Sequence, residues 1–390
     1  MPERIYLDWN ATAPLRPEAR AAMQAAMDLP GNPSSVHAEG RAGRRIVEAA
    51  REQVAGLVGA EPRNVIFTSG GTEANVLALS PGLIDGAPFA RLFVSGIEHP
   101  SVLAGGRFPA AARETVAATA DGHIDLAALQ AGLTAAKAAG GRPLVSLMLA
   151  NTETGVVQPV GEAARLVHDA GGLLHVDAVQ AAGKMPCLIS MLGADLLTIS
   201  GHKIGGPKGT GALIRRDAAL HIADPLIRGG GQERGARAGT ENVVGIAGFG
   251  AAAAAAQTDL ARAGDHMRGL RDRLEAGLKA CRPDTVVFGA QVARLPNTTL
   301  FAVPGMRAET AVIAFDLEGI AVSAGAACSS GKVQASHVLG AMGVSPDLAR
   351  GAVRLSLGPA STEADIDRCL GAWIKVSGAL LKKAEGLAAA

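Results

Sequence analysis

From about Arg16 to Gly250, short apolar runs alternate with longer helical patterns, and this alternation is the signature of a parallel α/β sheet. Val65 to Thr68, Arg91 to Ser95, Leu144 to Met148, Leu173 to Asp177 and Leu196 to Ser200 are the clearest strands, being apolar and rich in β-branched residues. Helices are expected between them, for example over Arg41 to Val58 and Val160 to Ala170. A long alanine-rich helix from about Val243 to Ala280 leads out of this region. The rest reads as α+β, with strands near Asn297 to Val303 and Val353 to Ser356 and helices near Glu309 to Leu317 and Glu363 to Leu381. The first dozen residues fit either part, and there is no internal repeat or low-complexity linker.

A chain of 390 residues is long enough for one large domain and a smaller one, each with its own core. With 48% hydrophobic and 19% charged residues it is globular and not disordered. A net charge of +1, spread along the chain, gives no electrostatic case for nucleic acid or an anionic membrane. The N-terminal residues hold no apolar signal core, and no apolar run of membrane-spanning length is expected. Cys187, Cys281, Cys328 and Cys369 are scattered without zinc-site spacing, so no metal is expected and a reduced, cytoplasmic location fits.

Ligands of open α/β sheets gather at the carboxyl ends of the strands. Lys203 stands there, just past the run ending at Ser200 and before a glycine-rich turn. A lysine desolvated at such a place has a lowered pKa and a neutral amine available for Schiff-base chemistry. Lys184 and Lys208 compete for that role; Lys184 follows a helical stretch and a glycine and reads as a solvated surface lysine, and Lys208 sits deeper in the turn. Gly71 and Thr72, in the stretch from Thr68 to Asn75, open a helix whose N–H groups suit a phosphate, although an ordinary turn capped by Thr72 reads the same way. Asp177 closes an apolar strand and can hold a protonated ring nitrogen, or cap a helix; Gln180, one turn on, reaches a ring oxygen. His99 can stack on a flat cofactor and move protons, or serve as a hydrogen-bonded structural histidine. Asn151 is a polar amide after a buried strand, or a turn asparagine.

Cys328 lies among small residues from Ser323 to Lys332, a context that exposes a thiol or, read alone, packs a small core residue into a tight turn, whereas Cys187, Cys281 and Cys369 sit in apolar or helical surroundings. At an ordinary thiol pKa of about 8.5 only a minor fraction of Cys328 is thiolate near neutrality. The stretch from Gly325 to Lys332 is no P-loop: its spacing is one residue too long, and Val333 stands where Ser or Thr is needed. Nor is the glycine-rich Arg228 to Gly235 a dinucleotide fingerprint, since no strand-to-helix context surrounds it. Arg354, embedded in an apolar strand, calls for a carboxylate, from an amino-acid substrate or from a structural ion pair.

Taken in order, Tyr6 to Thr12, Gly31 to Ser35, Thr68 to Asn75, Glu98-His99, Asn151 to Gly155, His175 to Gln180, Ser200 to Gly209, Gly229 to Asn242, Cys328 and Arg354 make the chain resemble, nearly end to end, the cysteine desulfurases of the NifS/IscS group. These are pyridoxal 5'-phosphate (PLP) enzymes of fold type I within the class V aminotransferases. The resemblance implies a large α/β domain over residues 15–258 with a mostly parallel seven-stranded sheet. It implies a smaller α+β domain from residues 1–14 and 259–390 that carries the Cys328 loop. Lys203 would hold PLP as a Schiff base, Asp177 pair with its pyridine nitrogen, Gln180 and Asn151 contact the cofactor, and His99 stack on the ring and serve in catalysis. Gly71, Thr72, Ser200 and His202 would bind the phosphate together with the partner subunit's Thr240, so a homodimer is expected. Arg354 and Asn151 would orient the carboxylate of L-cysteine, the freed Lys203 amine would take the Cα proton, and the Cys328 thiolate would attack the substrate sulfur. The products would be L-alanine and a persulfide on Cys328, whose sulfur passes to an iron–sulfur scaffold protein or another acceptor. The loop from Cys328 to Leu339 is long, as in the NifS/IscS branch and unlike the SufS branch. Trp9, Thr152 and Gly206 depart from the usual pattern. A selenocysteine lyase or a class V aminotransferase is the alternative, the second disfavoured by an exposed loop cysteine.

Overall fold

The computed structural model describes residues 4–83, 88–325 and 336–388. Its centre is a seven-stranded sheet in the order Val65–Thr68, Gly211–Arg215, Leu196–Ser200, Leu173–Asp177, Pro143–Met148, Arg91–Ser95, Arg113–Val116. Only Gly211–Arg215 runs against its neighbours; the other strands share one direction. The central strands are buried on both faces, which is why they read as continuous apolar runs. Alternate residues feed two cores. Val145, Leu174 and Leu197 enter one, under the helices Ala38–Val58 and Val243–Cys281, and Leu144, Leu173 and Leu196 enter the other, with Leu77 of the helix Gly71–Ala78.

The helix Val243–Cys281 is 39 residues long and serves both parts of the molecule. Ile246, Phe249, Ala253 and Ala256 recur at helical spacing in the large core, and Leu270, Leu274 and Leu278 do so in the C-terminal core. By length and composition it could cross a membrane, which corrects the expectation that no segment reaches spanning length. Burial against Pro17–Met27 and Ala38–Val58 accounts for its apolar character instead.

The C-terminal part carries an antiparallel sheet in the order Ser323–Ala324, Val353–Ser356, Thr298–Ala302, Val286–Val287. Behind it Trp373 of the helix Glu363–Ala388 is wholly buried, stacked on Phe315 and edge-on to Phe301. Ile5–Tyr6 pairs in parallel with Ile320–Ala321, so the first residues join this part. Trp9, one of the departures from the family pattern, lies against Gly358; a Cβ there would fall 2.0 Å from the indole ring, so a glycine makes room for the larger side chain.

Candidate active site

Five strands end at one cavity of about 190 Å³. The strand Val65–Thr68 leads into Gly71 and Thr72, Arg91–Ser95 into His99, and Pro143–Met148 into Thr152. Leu173–Asp177 supplies Asp177 and Gln180, and Leu196–Ser200 supplies Ser200, His202 and Lys203. This is where a doubly wound sheet places its ligands. A larger cleft of about 840 Å³ lies elsewhere, and its central arginine, Arg51, is already paired with Glu233 and Glu48. Chemistry and not size therefore selects the smaller cavity.

The end of the cavity suited to an anion is built on the helix Gly71–Ala78. Its N-cap is Gly70, so Thr72 is not the cap and instead lines the cavity. A Cβ on Gly71 would fall 2.9 Å from Val179 Cγ2 and 3.4 Å from Ser200 Cβ, so only glycine lets the helix start lie this close to the strand ends. Glu73 secures the preceding turn by accepting from the Ser69 N–H at 2.9 Å and from the Ser69 hydroxyl. Arg237 donates to the same carboxylate at 3.0 Å and ties in the segment that leads to Thr240. Thr240 itself lines a separate cavity of about 180 Å³ beside Thr68 and Ser69. His202 lies 3.2 Å from Thr12 Oγ1, and its pKa is pushed down to about 4 by burial and by the charges of Lys203, Lys208 and Lys184. Cations crowd this end, and a bound anion would relieve them.

Asp177 is buried, yet both of its oxygens are engaged: Oδ1 accepts from the Val179 N–H at 2.9 Å and Oδ2 from Asn75 Nδ2 at 2.8 Å. Asn75 also donates to Ser101 Oγ at 3.0 Å, and Ser101 Oγ lies 2.7 Å from His99 Nδ1. The Ser101 N–H donates to the same ring nitrogen at 3.1 Å, so this pattern assigns the imidazole proton to Nε2. Burial lowers the His99 pKa, with Asp177 opposing and Lys203 adding to the shift, which keeps the ring neutral. Glu98 is fully buried behind it. Desolvation drives its pKa well above the carboxylate range although the Met148 N–H donates to Oε1 at 2.7 Å; the Asp177 charge adds to the rise.

Lys203 sits in the short turn Gly201–Lys203 and donates to the main-chain carbonyls of Asn10 at 2.5 Å and Ala11 at 3.0 Å. Lys208 is exposed and outside the cavity. Lys184 corrects the sequence reading: it is no surface lysine but is buried, donating to Gln180 Oε1 at 2.8 Å and Asn10 Oδ1 at 3.0 Å. Desolvation first, then Lys203 and Arg354, push its pKa well below the usual lysine value.

Asn151 stands behind the cavity wall. It is wholly buried; Nδ2 donates to the Ile97 carbonyl at 3.1 Å, and Oδ1 receives the N–H groups of Glu153 and Thr154. It thereby shapes the turn that presents Thr152. Arg354 is 2% exposed; Nη2 pairs with Asp8 at 2.8 Å, Nη1 donates to the Thr152 carbonyl at 3.2 Å, and Nε has no partner among the described residues. Cys328 and the segment around it lie outside the described residues. The remaining cysteines are free thiols, and burial raises Cys187 and Cys369 to about 12.

The sequence pattern did not single out Asn10, Asn75 or Glu98. Asn10 and Asn75 read as ordinary polar residues of a turn and a helix. The one available signal was Glu98, a carboxylate beside His99 at the end of an apolar run.

Together these groups place an amine, a neutral imidazole, a buried carboxylate and a helix start around one cavity. The class-V aminotransferase family matches residues 5–369. A cysteine desulfurase of Cereibacter sphaeroides is 46% identical over 376 residues, covering 94% of each chain. One from Trichormus azollae is 43% identical over 371 residues, covering 94% of this chain and 91% of its own. The solved structure of a NifS-like protein from Rickettsia africae superposes with a TM-score of 0.86 at 36% identity, over 96% of this chain and all of that one. With strand ends, cavity and sequence in agreement, the chain belongs to the class-V aminotransferases and, within them, to the cysteine desulfurases of the NifS/IscS group.

Proposed function

We propose that the protein is a cysteine desulfurase that converts L-cysteine to L-alanine and leaves the sulfur as a persulfide on Cys328. The reaction balances without an outside oxidant: cysteine and a thiol become alanine and a persulfide. The observation that carries this reading is that Lys203, Asp177, His99 and the Gly71–Thr72 helix start line a single cavity.

The family uses PLP, and the residues present suit it. The glycine at position 71 opens the cradle a phosphate needs, and the crowded cations that depress His202 call for an anion beside it. When bound, PLP supplies an electron sink for the Cα carbanion. Gly71, Thr72, Ser200 and His202 would seat the phosphate, with the partner subunit's Thr240 completing it in a homodimer. Asp177, held by Asn75 and the Val179 N–H, would keep a proton on the ring nitrogen; Gln180 would face the ring oxygen. His99, neutral with its proton on Nε2, would cover the ring and pass protons. Lys203 would carry the cofactor and, once free, move the proton at the substrate Cα. The Arg354 guanidinium, fixed by Asp8, would attract the substrate carboxylate. Cys328 would take the sulfur and hand it to an iron–sulfur scaffold protein or another acceptor. Persulfide chemistry on a free thiol suits a reducing compartment, and we place the protein in the cytoplasm.

The test is the absorption spectrum of the purified protein before and after L-cysteine, with alanine measured. Wild type should carry the visible cofactor band and release alanine; Cys328→Ala should keep the band and lose turnover by at least about a hundredfold. Full-rate alanine formation by Cys328→Ala would refute the desulfurase, and a colourless Lys203-intact protein would refute the cofactor.

A further inference from the structure

His99 and Asp177 follow or end different strands, yet an unbroken hydrogen-bond chain joins them, and the direction of each link can be read. The carboxylate of Asp177 offers only lone pairs, so the Asn75 amide at 2.8 Å must turn its NH₂ toward Oδ2. Turned over, Asn75 would press its carbonyl oxygen against that charge at a position only 1% exposed. The same NH₂ also reaches Ser101 Oγ at 3.0 Å, so the serine oxygen accepts there. A hydroxyl has one proton to give. The other side-chain neighbour of Ser101 Oγ among the described residues is His99 Nδ1 at 2.7 Å, and the proton goes to it.

His99 Nδ1 therefore receives two donors, the Ser101 hydroxyl and the Ser101 N–H at 3.1 Å. Both serve the neutral imidazole alone. Protonating Nδ1 would set its new N–H against a backbone N–H that cannot turn, and would drive the hydroxyl off its acceptor. The backbone donor belongs to the cap of the short helix Pro100–Leu103 and does not depend on the side chain at position 101. The hydroxyl is what the serine adds.

We propose that Ser101, its hydroxyl aimed by Asn75, is a positioning residue that keeps His99 a neutral imidazole, leaving Nε2–H as the ring's one donor. What this neutrality is for rests on the function proposed above. A cationic imidazole laid over the protonated pyridine ring of PLP would repel it, whereas a neutral one covers it freely. The charged groups that face His99 are Asp177, which favours the cation, and Lys203 and His337, which oppose it. The neighbouring Glu98 carboxyl is turned to the Met148 N–H. A change at position 101 alters none of these groups.

The test reads the ring directly. In the full chain without cofactor, exchange of the carbon-bound imidazole proton of His99 for deuterium is followed against pH by mass spectrometry. Residues 92–107 form a tryptic peptide in which His99 is the one histidine. Ser101→Ala should raise the exchange midpoint by about one pH unit, and Ser101→Thr, which keeps a hydroxyl, should bring it back. Asn75→Ala, which releases the hydroxyl, should raise it in the same direction by less. An unmoved midpoint in Ser101→Ala overturns the proposal. A shift in Ser101→Ala with none in Asn75→Ala overturns the part given to Asn75. PLP titrations at pH 6 and pH 8 then test the purpose: over that interval Ser101→Ala should lose about threefold more affinity than wild type. An equal loss in both proteins would overturn it. Wild type that takes up no PLP at either pH would bring down the cofactor reading and the purpose with it, while the exchange midpoint still decides the role of Ser101.

Discussion

The cavity wall and the core around Trp373 are both buried, but opposite rules hold them together. Around Trp373 the contacts are apolar: Phe301 meets the indole edge-on at 5.1 Å between centroids, and Phe315 stacks at 6.1 Å. Nothing there is directional except the indole N–H, which lacks an acceptor among the described residues. The wall buries Glu98, Glu153, His175 and Lys184 within a short distance in sequence of the strand ends, and each is displaced toward its neutral form by desolvation. His175 shows the pattern, with a pKa near 4 and its two ring nitrogens 2.8 Å from Ser146 Oγ and 2.9 Å from Thr198 Oγ1. Area stabilises the first region, whereas the second is ordered by the direction of its hydrogen bonds at a standing cost in desolvation. The lesson is that the same degree of burial signals stability in one place and chemistry in the other.

Three substitutions press on this contrast. Trp373→Ala should cost about 3–5 kcal/mol in urea unfolding, through lost burial and the cavity left behind. PLP affinity of the folded fraction should stay as in wild type; a coupled loss of affinity would erase the distinction between the regions. Glu153 offers the next effect. Its pKa is raised to about 7 by burial, against the Ser336 hydroxyl that donates to it at 2.5 Å and the charge of Arg354. The folded protein thus holds a proton the unfolded chain has lost, so this contribution is complete below the ordinary carboxylate pKa and disappears as pH rises through 7. The difference is worth up to about 3 kcal/mol. Glu153→Gln should flatten that part of the slope between pH 5 and 8, and an unchanged slope would show that Glu153 is ionised throughout.

The smallest effect belongs to Lys184→Met. The variant loses two hydrogen bonds but also the cost of burying an amine, so at pH 7 it should lie within about 1 kcal/mol of wild type. Because the folded pKa of Lys184 is depressed, wild type gains stability as pH climbs toward the ordinary lysine value, and the variant should fall behind over that range. A deficit above about 3 kcal/mol at pH 7 would mean that the lysine is charged and indispensable to folding.

The legible parts of this molecule were those whose information is local. Lys203 and Asp177 follow mostly apolar runs, so the end of a strand could be placed and its chemistry weighed. The sheet edge Arg113–Val116 was not legible, because three of its four residues are exposed and two of them charged, which hides the strand pattern. Lys184 was misread because its environment is assembled from far away: Asn10 is 174 positions distant, and its charged neighbours Lys203 and Arg354 come from other elements. Thr152 was visible only as a departure from a pattern.

One feature of the sheet reaches beyond the site. The lone reversed strand Gly211–Arg215 pairs with Leu196–Ser200 right up to Ser200 and Gly211, so the segment bearing Lys203 is a loop clamped at both ends by the same ladder. Its backbone has little room to travel. Whatever distance the amine covers between gripping a partner and releasing it must come from rotation about its own side-chain bonds. Drift in the outer loops can then alter how the protein is recognised without detuning the reach of that amine.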